Sequence, residues 1–188
     1  MRFGIKSVSM DDISRSLGIS KKTLYQMTPS KEHLVGKILN NYLCEEKDQV
    51  ADLKALAEDS IHEIVLIANH VTEMLKKLSP NTLYDLRKYY ADHWQKMEAE
   101  RHSMIYADIK HNLDEGIQQG LYRDDLDTDL LSTLYVRMAT FIMDEKIVLS
   151  ESGKKVKLYK EFIKYHIRGI ATAHGIRLLN KYEYLLND

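Results

Sequence analysis

The chain has 188 residues, enough for one large domain or two small ones with a substantial apolar core. It carries 27 Lys and Arg residues against 28 Asp and Glu residues, so its total charge indicates no charged partner. Its single cysteine, Cys44, excludes an intrachain disulfide, and the lack of a signal peptide or of a run of about 18 apolar residues predicts a cytoplasmic protein without a membrane partner.

The distribution of charge is more informative than the total. Residues 1–43 carry seven Lys and Arg residues and three Asp and Glu residues, a balance of +4, whereas the rest of the chain carries 20 and 25, a balance of −5. A polyanion would therefore be attracted to the N-terminal end. A solvated surface helix can produce a similar count, so charge alone does not identify the partner.

Two short helices joined by a tight turn are predicted at this end. Ser9 can cap the first helix, and apolar residues at i, i+3 and i+7 give it one buried face. Gly18 can end that helix because glycine adopts the left-handed conformation that a sharp exit requires. The second helix then runs from its cap, Ser20, to Met27. The apolar positions of the first helix are Met10, Ile13 and Leu17.

The second helix carries short polar and cationic side chains at its N-terminal end, namely Ser20, Lys21, Lys22 and Thr23. A helix in the major groove reads bases with its N-terminal residues, while lysines and free N–H groups hold phosphates. The layout therefore predicts double-stranded DNA as a partner. Pro29 breaks the chain again, and a longer helix is expected to begin at Ser30.

At these residues the chain resembles the N-terminal end of the TetR-type (TetR/AcrR) bacterial transcriptional regulators. The resemblance implies an N-terminal helix-turn-helix DNA-binding domain at residues 1–46 and a C-terminal ligand-binding and dimerisation domain at residues 47–188. The segments that keep the family's order and spacing are Gly4, Ser9–Ile13, Leu17–Tyr25 and Lys31–Leu34. The residues that match the family's DNA contacts are Ser20, Lys21, Lys22, Thr23, Tyr25 and Lys31.

Two features depart from the family pattern. The family has a full helix where this sequence has only residues 1–4, so either the sequence is shortened or the protein lacks that helix. The family also places an aromatic residue where this chain has Thr28. Both departures leave open an alternative in which the N-terminal unit does not bind DNA.

The rest of the chain shows helical periodicity and almost no alternation of apolar and polar residues, which predicts an all-α protein. We expect helices at about 30–48, 54–78, 81–94, 97–119, 127–149 and 155–174, with a short one at about 176–185. The helix that begins at Ser30 is expected to connect the DNA-binding unit with the larger bundle. Cys44 is expected to be a buried, small apolar residue near the end of that helix.

Aromatic, Met and His residues are concentrated in the middle of the chain. The family resemblance implies that helices in this region enclose a pocket for a small-molecule effector, and such residues suit a pocket. The alternative is that aromatics at helical spacing form ordinary core. The candidate pocket residues are Tyr90, Trp94, His102 and Tyr106.

Carboxylate and imidazole groups also recur at helical spacing, which raises the question of a metal site. Helical di-metal bundles normally use Glu-x-x-His twice with two further glutamates, and the match here is only partial. Such pairs are usually surface contacts. No phosphate loop or serine elbow is present, so we expect no metal, no cofactor and no enzyme activity. The pairs are Asp59–His62, Asp108–His111 and Glu98–His102.

The last two long helices carry broad apolar faces. Gly120 is expected to end the preceding helix, and Asp127 or Thr128 to cap the next one. Two such antiparallel helices can meet their copies in a four-helix bundle, as the family resemblance implies, or they can pack inside the monomer. The candidate dimer-interface residues are Leu131, Leu134, Met138, Phe162, His166 and Ile170.

Together these features predict a ligand-responsive DNA-binding transcriptional regulator. The resemblance implies a repressor that binds a palindromic operator as a homodimer and is released by a small-molecule effector. The alternative is a helical-bundle interaction protein or metal-binding protein that does not bind DNA.

Overall fold

The computed structural model describes residues 4–77, 79–143 and 152–187. These residues form helices and no strand, apart from an isolated bridge between Tyr122 and Ala171, which confirms the all-α prediction. None of the described helices combines the length and apolar character needed to cross a lipid bilayer. A 3-10 turn at Ile5–Ser7 is followed by α1 Met10–Ser16, α2 Lys21–Met27, α3 Lys31–Leu56, α4 Ser60–Lys77, α5 Pro80–Tyr89, α6 Ala91–Gln118, α7 Thr128–Met143, α8 Ser152–Ile170, α9 Ala173–Tyr182 and α10 Tyr184–Asn187.

Several predicted helix ends are wrong for local physical reasons. Helix α3 continues to Leu56, beyond its predicted end at residue 48. Helix α4 begins at Ser60 and not at the predicted residue 54, because the Asp59 carboxylate caps it and accepts a hydrogen bond from the His62 N–H at 2.8 Å. The predicted break between residues 94 and 97 does not exist, since the chain bends at Tyr90 and α6 then runs unbroken. Thr172 caps α9, so α8 ends at Ile170 and not at the predicted residue 174.

The predicted helix end near residue 149 lies outside the described ranges. The predicted burial of Cys44 is wrong, because its side chain is exposed on α3. The predicted cap at Asp127 is confirmed, because its carboxylate accepts a hydrogen bond from the Leu130 N–H at 2.9 Å.

The described residues group into two compact units. The first comprises residues 4–47 and 79–101, and the second comprises residues 48–77, 102–143 and 152–187. Helices α3 and α6 each contribute residues to both units. The proposed end of the DNA-binding domain at residue 46 stays a prediction.

The first unit is held together by a core that α3, α5 and α6 share. Its buried members are Val35, Leu39, Leu83, Leu86, Trp94 and Met97. Ile5 and Tyr90 pack against this cluster as partly buried residues. Burial of such side chains stabilises a fold by roughly 1.5–3 kcal/mol each.

In the second unit α4 packs against α8, α9 and α10. Its core includes five residues with no exposed surface or almost none, Ile61, Val65, Ile163, Ile167 and Leu179. Helices α6 and α7 contribute Leu113, Tyr135 and Ile142 to the same cluster. This continuous apolar core is what the long helical periodicity of the sequence predicts.

A buried tyrosine closes the turn between α6 and α7. Gly120 has a φ of 67°, which confirms its predicted role as the residue that ends α6. The Tyr122 ring then folds back on Gly116, where an added Cβ would lie about 2.1 Å from a ring carbon. The Tyr122 hydroxyl donates to Asn112 Oδ1 at 2.9 Å, so the one polar atom of this buried side chain has a hydrogen-bond partner. Glycine at position 116 is therefore required by packing.

We predict that Gly116→Ala lowers the free energy of unfolding by about 1–3 kcal/mol, because the methyl group collides with the Tyr122 ring. Gly169→Ala is the matched control, since Gly169 is a helical glycine with no heavy atom within 4 Å of an added Cβ. That control should be neutral or stabilising by up to about 1 kcal/mol. Urea unfolding of both variants measures the difference, and equal effects would contradict this account of the turn.

Candidate nucleic-acid interface and effector region

The turn between α1 and α2 is built around a left-handed glycine. Gly18 has a φ of 67°, its N–H donates to the Arg15 carbonyl at 3.2 Å, and the Ile19 N–H donates to the Ser14 carbonyl at 3.0 Å. These two bonds form a Schellman motif, which turns the chain sharply at the end of a helix. The predicted glycine exit is therefore confirmed.

The start of α1 is fixed by a reciprocal pair of hydrogen bonds. The Asp12 N–H donates to the Ser9 hydroxyl at 3.1 Å, and the Ser9 N–H donates to the Asp12 carboxylate at 2.9 Å. The hydrogen bonds from the Ser9 side chain and backbone lower the pKa of Asp12 from its usual value. This capping box gives α1 a defined N-terminal end.

Helix α2 is anchored by one face and exposes the other. The Ser20 hydroxyl caps it, accepting from the Thr23 N–H at 3.0 Å, and lies 2.8 Å from the Thr23 hydroxyl. Leu24 is buried, whereas Lys21, Lys22 and Tyr25 are exposed. The free N-terminal end of α2 thus carries two ammonium groups and two hydroxyl groups on the unit's surface.

Two of the predicted DNA-contacting lysines make contacts within the chain. The Lys21 ammonium pairs with the Asp11 carboxylate, and the Lys31 ammonium donates to the Lys6 carbonyl at 3.2 Å. Both side chains remain at the surface, where exchange of such contacts for a phosphate costs little. Five of the six predicted residues lie on α2 or at its cap and the sixth begins α3, and their contact with DNA stays a prediction.

Lys37 was not among the predicted site residues and entered the sequence analysis only through the count of charges. The Lys37 ammonium, from the second turn of α3, donates to the Met27 carbonyl at the last residue of α2 at 3.2 Å. A cation at a helix C-terminus satisfies an otherwise unpaired carbonyl and interacts favourably with the helix dipole. Lys37 therefore holds the C-terminal end of α2 to α3. No local sequence signal identifies it, because Met27 and Lys37 belong to different helices.

A buried carboxylate holds the segment that precedes α1. Asp85 of α5 is only 8% exposed and accepts a hydrogen bond from the Lys6 N–H at 2.8 Å. The Lys6 ammonium lies 4.0 Å from the centre of the Tyr89 ring, and this cation lowers the pKa of the Tyr89 hydroxyl. The sequence feature that points to Asp85 is its position between the apolar residues Leu83 and Leu86, which are buried, because a buried charged residue needs a partner.

Thr28, where the sequence resemblance implied an aromatic residue, is buried at the end of α2. It is 2% exposed, and its hydroxyl donates to the Ser30 carbonyl at 3.2 Å. Its N–H donates to the Leu24 carbonyl at 3.0 Å. Thr28 thus links α2 to the first residues before α3 through hydrogen bonds.

The four candidate effector residues fall into two pairs. Tyr90 and Trp94 pack in the core of the first unit, where the Arg87 guanidinium lies 5.3 Å from the Trp94 ring centre. His102 and Tyr106 belong to the second unit and both bond to α7. His102 Nε2 lies 2.9 Å from the Thr140 hydroxyl, and the Tyr106 hydroxyl donates to Asp129 at 2.5 Å. Their assignment to one pocket stays a prediction.

The candidate metal-binding pairs are engaged in other contacts. His62 stacks on Tyr182 with 4.4 Å between ring centres, and the Asp108 carboxylate accepts from the Lys54 ammonium at 2.5 Å. Glu98 lies 3.7 Å from the Arg101 guanidinium. In the described parts of the chain no three His, Cys, Asp or Glu side chains converge.

The candidate dimer-interface residues also separate into two groups. Leu134 and Met138 are exposed on α7, and Leu131 is partly buried. Phe162, His166 and Ile170 of α8 are buried in the core of the second unit. These three side chains therefore pack inside the monomer, as the alternative described above expects, and the interface itself stays a prediction.

His166 is a buried imidazole among aromatic rings. Its ring centre lies 5.0 Å from that of Tyr135 and 6.1 Å from that of Phe162. Burial lowers the pKa of His166 to about 4, because the charged imidazolium loses its hydration there. The side chain is therefore neutral at physiological pH.

Comparisons with known proteins agree with this architecture. Residues 1–38 match the family model for bacterial regulatory proteins of the tetR family. Over 172 residues the chain is 24% identical to the HTH-type transcriptional regulator YvaF of Bacillus subtilis strain 168, covering 88% of this chain and 87% of that protein.

Two solved structures share the fold over nearly the whole chain. A transcriptional regulator from Cytophaga hutchinsonii superimposes with a TM-score of 0.72 at 14% identity, covering 90% of this chain and 91% of the other. A gamma-butyrolactone receptor described as an ArpA-like protein gives a TM-score of 0.69 at 17% identity, with 97% and 87% covered. At these identities the likeness concerns the fold.

We predict that His166 makes stability depend on pH between about 6.5 and 4. As the pH falls through this window the unfolded imidazole binds a proton before the folded one does, so stability is lost. The loss attributable to this residue is about 3 kcal/mol at the lower limit. Urea unfolding at several pH values should show a flatter profile for His166→Leu, and parallel profiles would contradict the assignment.

Proposed function

Because the chain belongs to the TetR family of bacterial regulatory proteins, we propose that it is a ligand-responsive repressor that binds a palindromic operator as a homodimer. The family consists of DNA-binding transcriptional regulators and not of enzymes. The observation that carries the proposal is the exposed N-terminal end of α2, which the Gly18 turn and the Ser20 cap hold in place.

The chemistry of this end suits the major groove. Lys21, Lys22 and Tyr25 are exposed, and the hydroxyl groups of Ser20 and Thr23 lie beside the first N–H groups of α2. Hydroxyl and ammonium groups donate to base edges and to phosphates. Lys31 stands at the start of α3, where it can leave the Lys6 carbonyl for a phosphate.

An exposed apolar stripe supports the homodimer. Leu130, Leu134, Met138 and Phe141 recur at intervals of three or four residues on α7, with exposures of 67%, 56%, 37% and 43%. Tyr165 of α8 is 78% exposed. Monomeric proteins rarely leave a continuous apolar patch in water, so a second copy is the occupant proposed here. A two-fold dimer presents two α2 helices to successive major grooves when they are about 34 Å apart.

Two continuous helices provide the route for an effector signal. Helix α3 begins beside α2 and α6 carries Trp94 and Met97 against Val35 and Leu39 of α3. The same α6 carries His102 and Tyr106 in the second unit, and one neighbour of this fold is described as a gamma-butyrolactone receptor. An effector that favours one arrangement of α6 would change the population of DNA-binding dimers.

Selection of binding sites from random duplex DNA tests the proposal. We expect a palindrome whose half-sites lie about one helical turn apart, because two α2 helices related by two-fold symmetry read it. The matched variant Gly18→Pro removes the left-handed turn and should enrich no site, while Gly169→Ala should enrich the same palindrome. Failure of the unmodified chain to enrich any palindrome would overturn the proposal.

A further inference from the structure

A cleft of about 180 Å³ lies between α3 and α6 within the first unit. Leu39, a buried member of that unit's core, is the apolar residue of its lining. Gly36 contributes only backbone, and the other lining residues carry nitrogen in their side chains. None of the described residues that line the cleft is acidic. The nitrogen-bearing residues are His33, Lys37 and Asn40 of α3 and His93 and Lys96 of α6.

Helical spacing brings these groups to one place. Residues 33, 36, 37 and 40 recur at intervals of three or four on α3, and residues 93 and 96 lie three apart on α6. The His93 ring lies against the backbone of α3, because a Cβ added to Gly36 would be 2.7 Å from the His93 Cε1 atom. Glycine at position 36 thus brings the imidazole of α6 close to the polar face of α3.

Two ammonium groups give the cleft a positive charge. Lys37 donates one of its three N–H groups to the Met27 carbonyl at 3.2 Å, which leaves the others for a ligand. Lys96 makes no ion pair or hydrogen bond to another described residue. Glu32 Oε1 lies 3.9 Å from His93 Nε2, but the Glu32 side chain is 74% exposed, so water and salt screen its charge. The lining therefore keeps a net positive charge at neutral pH.

Further donors of the lining are also available. Neither the His33 imidazole nor the Asn40 amide makes a hydrogen bond to another described residue. A neutral imidazole offers one N–H group and a primary amide offers two. Both side chains are exposed, so water satisfies them until a ligand takes its place. The cleft thus presents donors from both helices to a ligand that carries acceptors.

The size and the donor set of the cleft select a small oxoanion. One water molecule takes up about 30 Å³ of the liquid, so a cleft of about 180 Å³ accommodates a tetrahedral ion of five heavy atoms. The oxygens of a doubly charged ion accept strong hydrogen bonds from ammonium and imidazole N–H groups. A concave surface with one sign of charge beside an apolar wall concentrates ions of the opposite sign. Inorganic phosphate has this size, shape and charge.

We propose that the cleft between α3 and α6 binds inorganic phosphate. Lys37 and Lys96 supply the counter-charges, and His33, His93 and Asn40 supply hydrogen bonds to the phosphate oxygens. None of the predicted effector residues lines the cleft, so the inference concerns a different site. It does not depend on the proposed DNA binding. Because the Lys37 ammonium also holds the C-terminal end of α2, the bound ion lies next to that contact.

An NMR titration of the full chain with potassium phosphate, at fixed pH and ionic strength, tests the site. The chain has eight histidines, each with one Cε1–H signal. We expect the signals of His33 and His93 to move along one saturation curve while those of the other histidines stay in place, because these two imidazoles line the cleft. The variants His33→Gln and His93→Gln assign the two signals. Potassium chloride at the same ionic strength should move neither, and phosphate that moves neither would overturn the inference.

A matched pair of lysine variants tests the counter-charge. Lys96→Gln removes an ammonium that lines the cleft, and Lys47→Gln removes one from an exposed position further along α3. Phosphate binding to Lys96→Gln should be about tenfold weaker, because a charge-assisted hydrogen bond is lost, whereas Lys47→Gln should bind as the unmodified chain does. Both side chains are exposed, so neither substitution should change the thermal midpoint appreciably. Equal affinities of the two variants for phosphate would overturn the inference.

The phosphates of operator DNA are a second source of the same chemistry, and the salt dependence of operator binding separates them from the free ion. If the DNA backbone occupied the cleft, Lys96→Gln would reduce the slope of log affinity against log salt concentration by about two per dimer. We expect the slope to stay the same. A reduced slope would assign the cleft to the DNA backbone and contradict the assignment to free phosphate.

These outcomes are separable from those of the proposed function, because the NMR titration contains no DNA. If phosphate binds while no palindrome is enriched, the phosphate site stands and the regulator proposal fails. If a palindrome is enriched while phosphate moves neither histidine signal, the regulator proposal stands and the phosphate inference fails.

Discussion

The left-handed turn at Gly18 is the constraint on which the placement of α2 after α1 depends. A residue with a side chain adopts this conformation only at a cost of about 1–2 kcal/mol, and the two hydrogen bonds of the Schellman motif form only when the chain turns there. The turn delivers Ser20 as the cap of α2, and Leu24 then anchors that helix by a single buried face. The remaining faces of α2 are left for a partner.

The turn alone does not hold α2, because a helix of seven residues has little stability of its own. Lys37 binds the last carbonyl of α2, and Thr28 joins its end to the residues that precede α3. On the other side Asp85 fixes the backbone at Lys6, so the segment before α1 is held against α5. Lys37 of α3 thus holds the C-terminal end of α2, and Asp85 of α5 holds the segment before α1.

Features set by neighbouring residues could be predicted from the sequence, and features set by distant residues could not. The Ser9 cap of α1, the glycine exit at Gly18 and the all-α class follow from local spacing and are confirmed. The hydrogen bond between Lys6 and Asp85 joins residues 79 positions apart, and no local pattern indicates it. The core role of Trp94 was ambiguous because aromatic residues at helical spacing suit a core and a pocket equally. The end of α8 was placed too late because apolar periodicity continues past Ile170, although Thr172 caps the next helix.

We propose that two N-terminal units of a homodimer hold the phosphate backbone of one operator. The salt dependence of binding to the enriched duplex tests it most directly, with Lys31→Ala compared with Lys76→Ala, which removes the same charge from an exposed residue of α4. The Lys31 ammonium donates a hydrogen bond to the Lys6 carbonyl, so its removal can change the affinity for DNA by disturbing the fold. The slope of log affinity against log salt concentration is the better measure, because it counts phosphate contacts. We predict that Lys31→Ala reduces the slope by about two and that Lys76→Ala leaves it unchanged. A slope that is unchanged in Lys31→Ala, or reduced by only about one, would contradict the account.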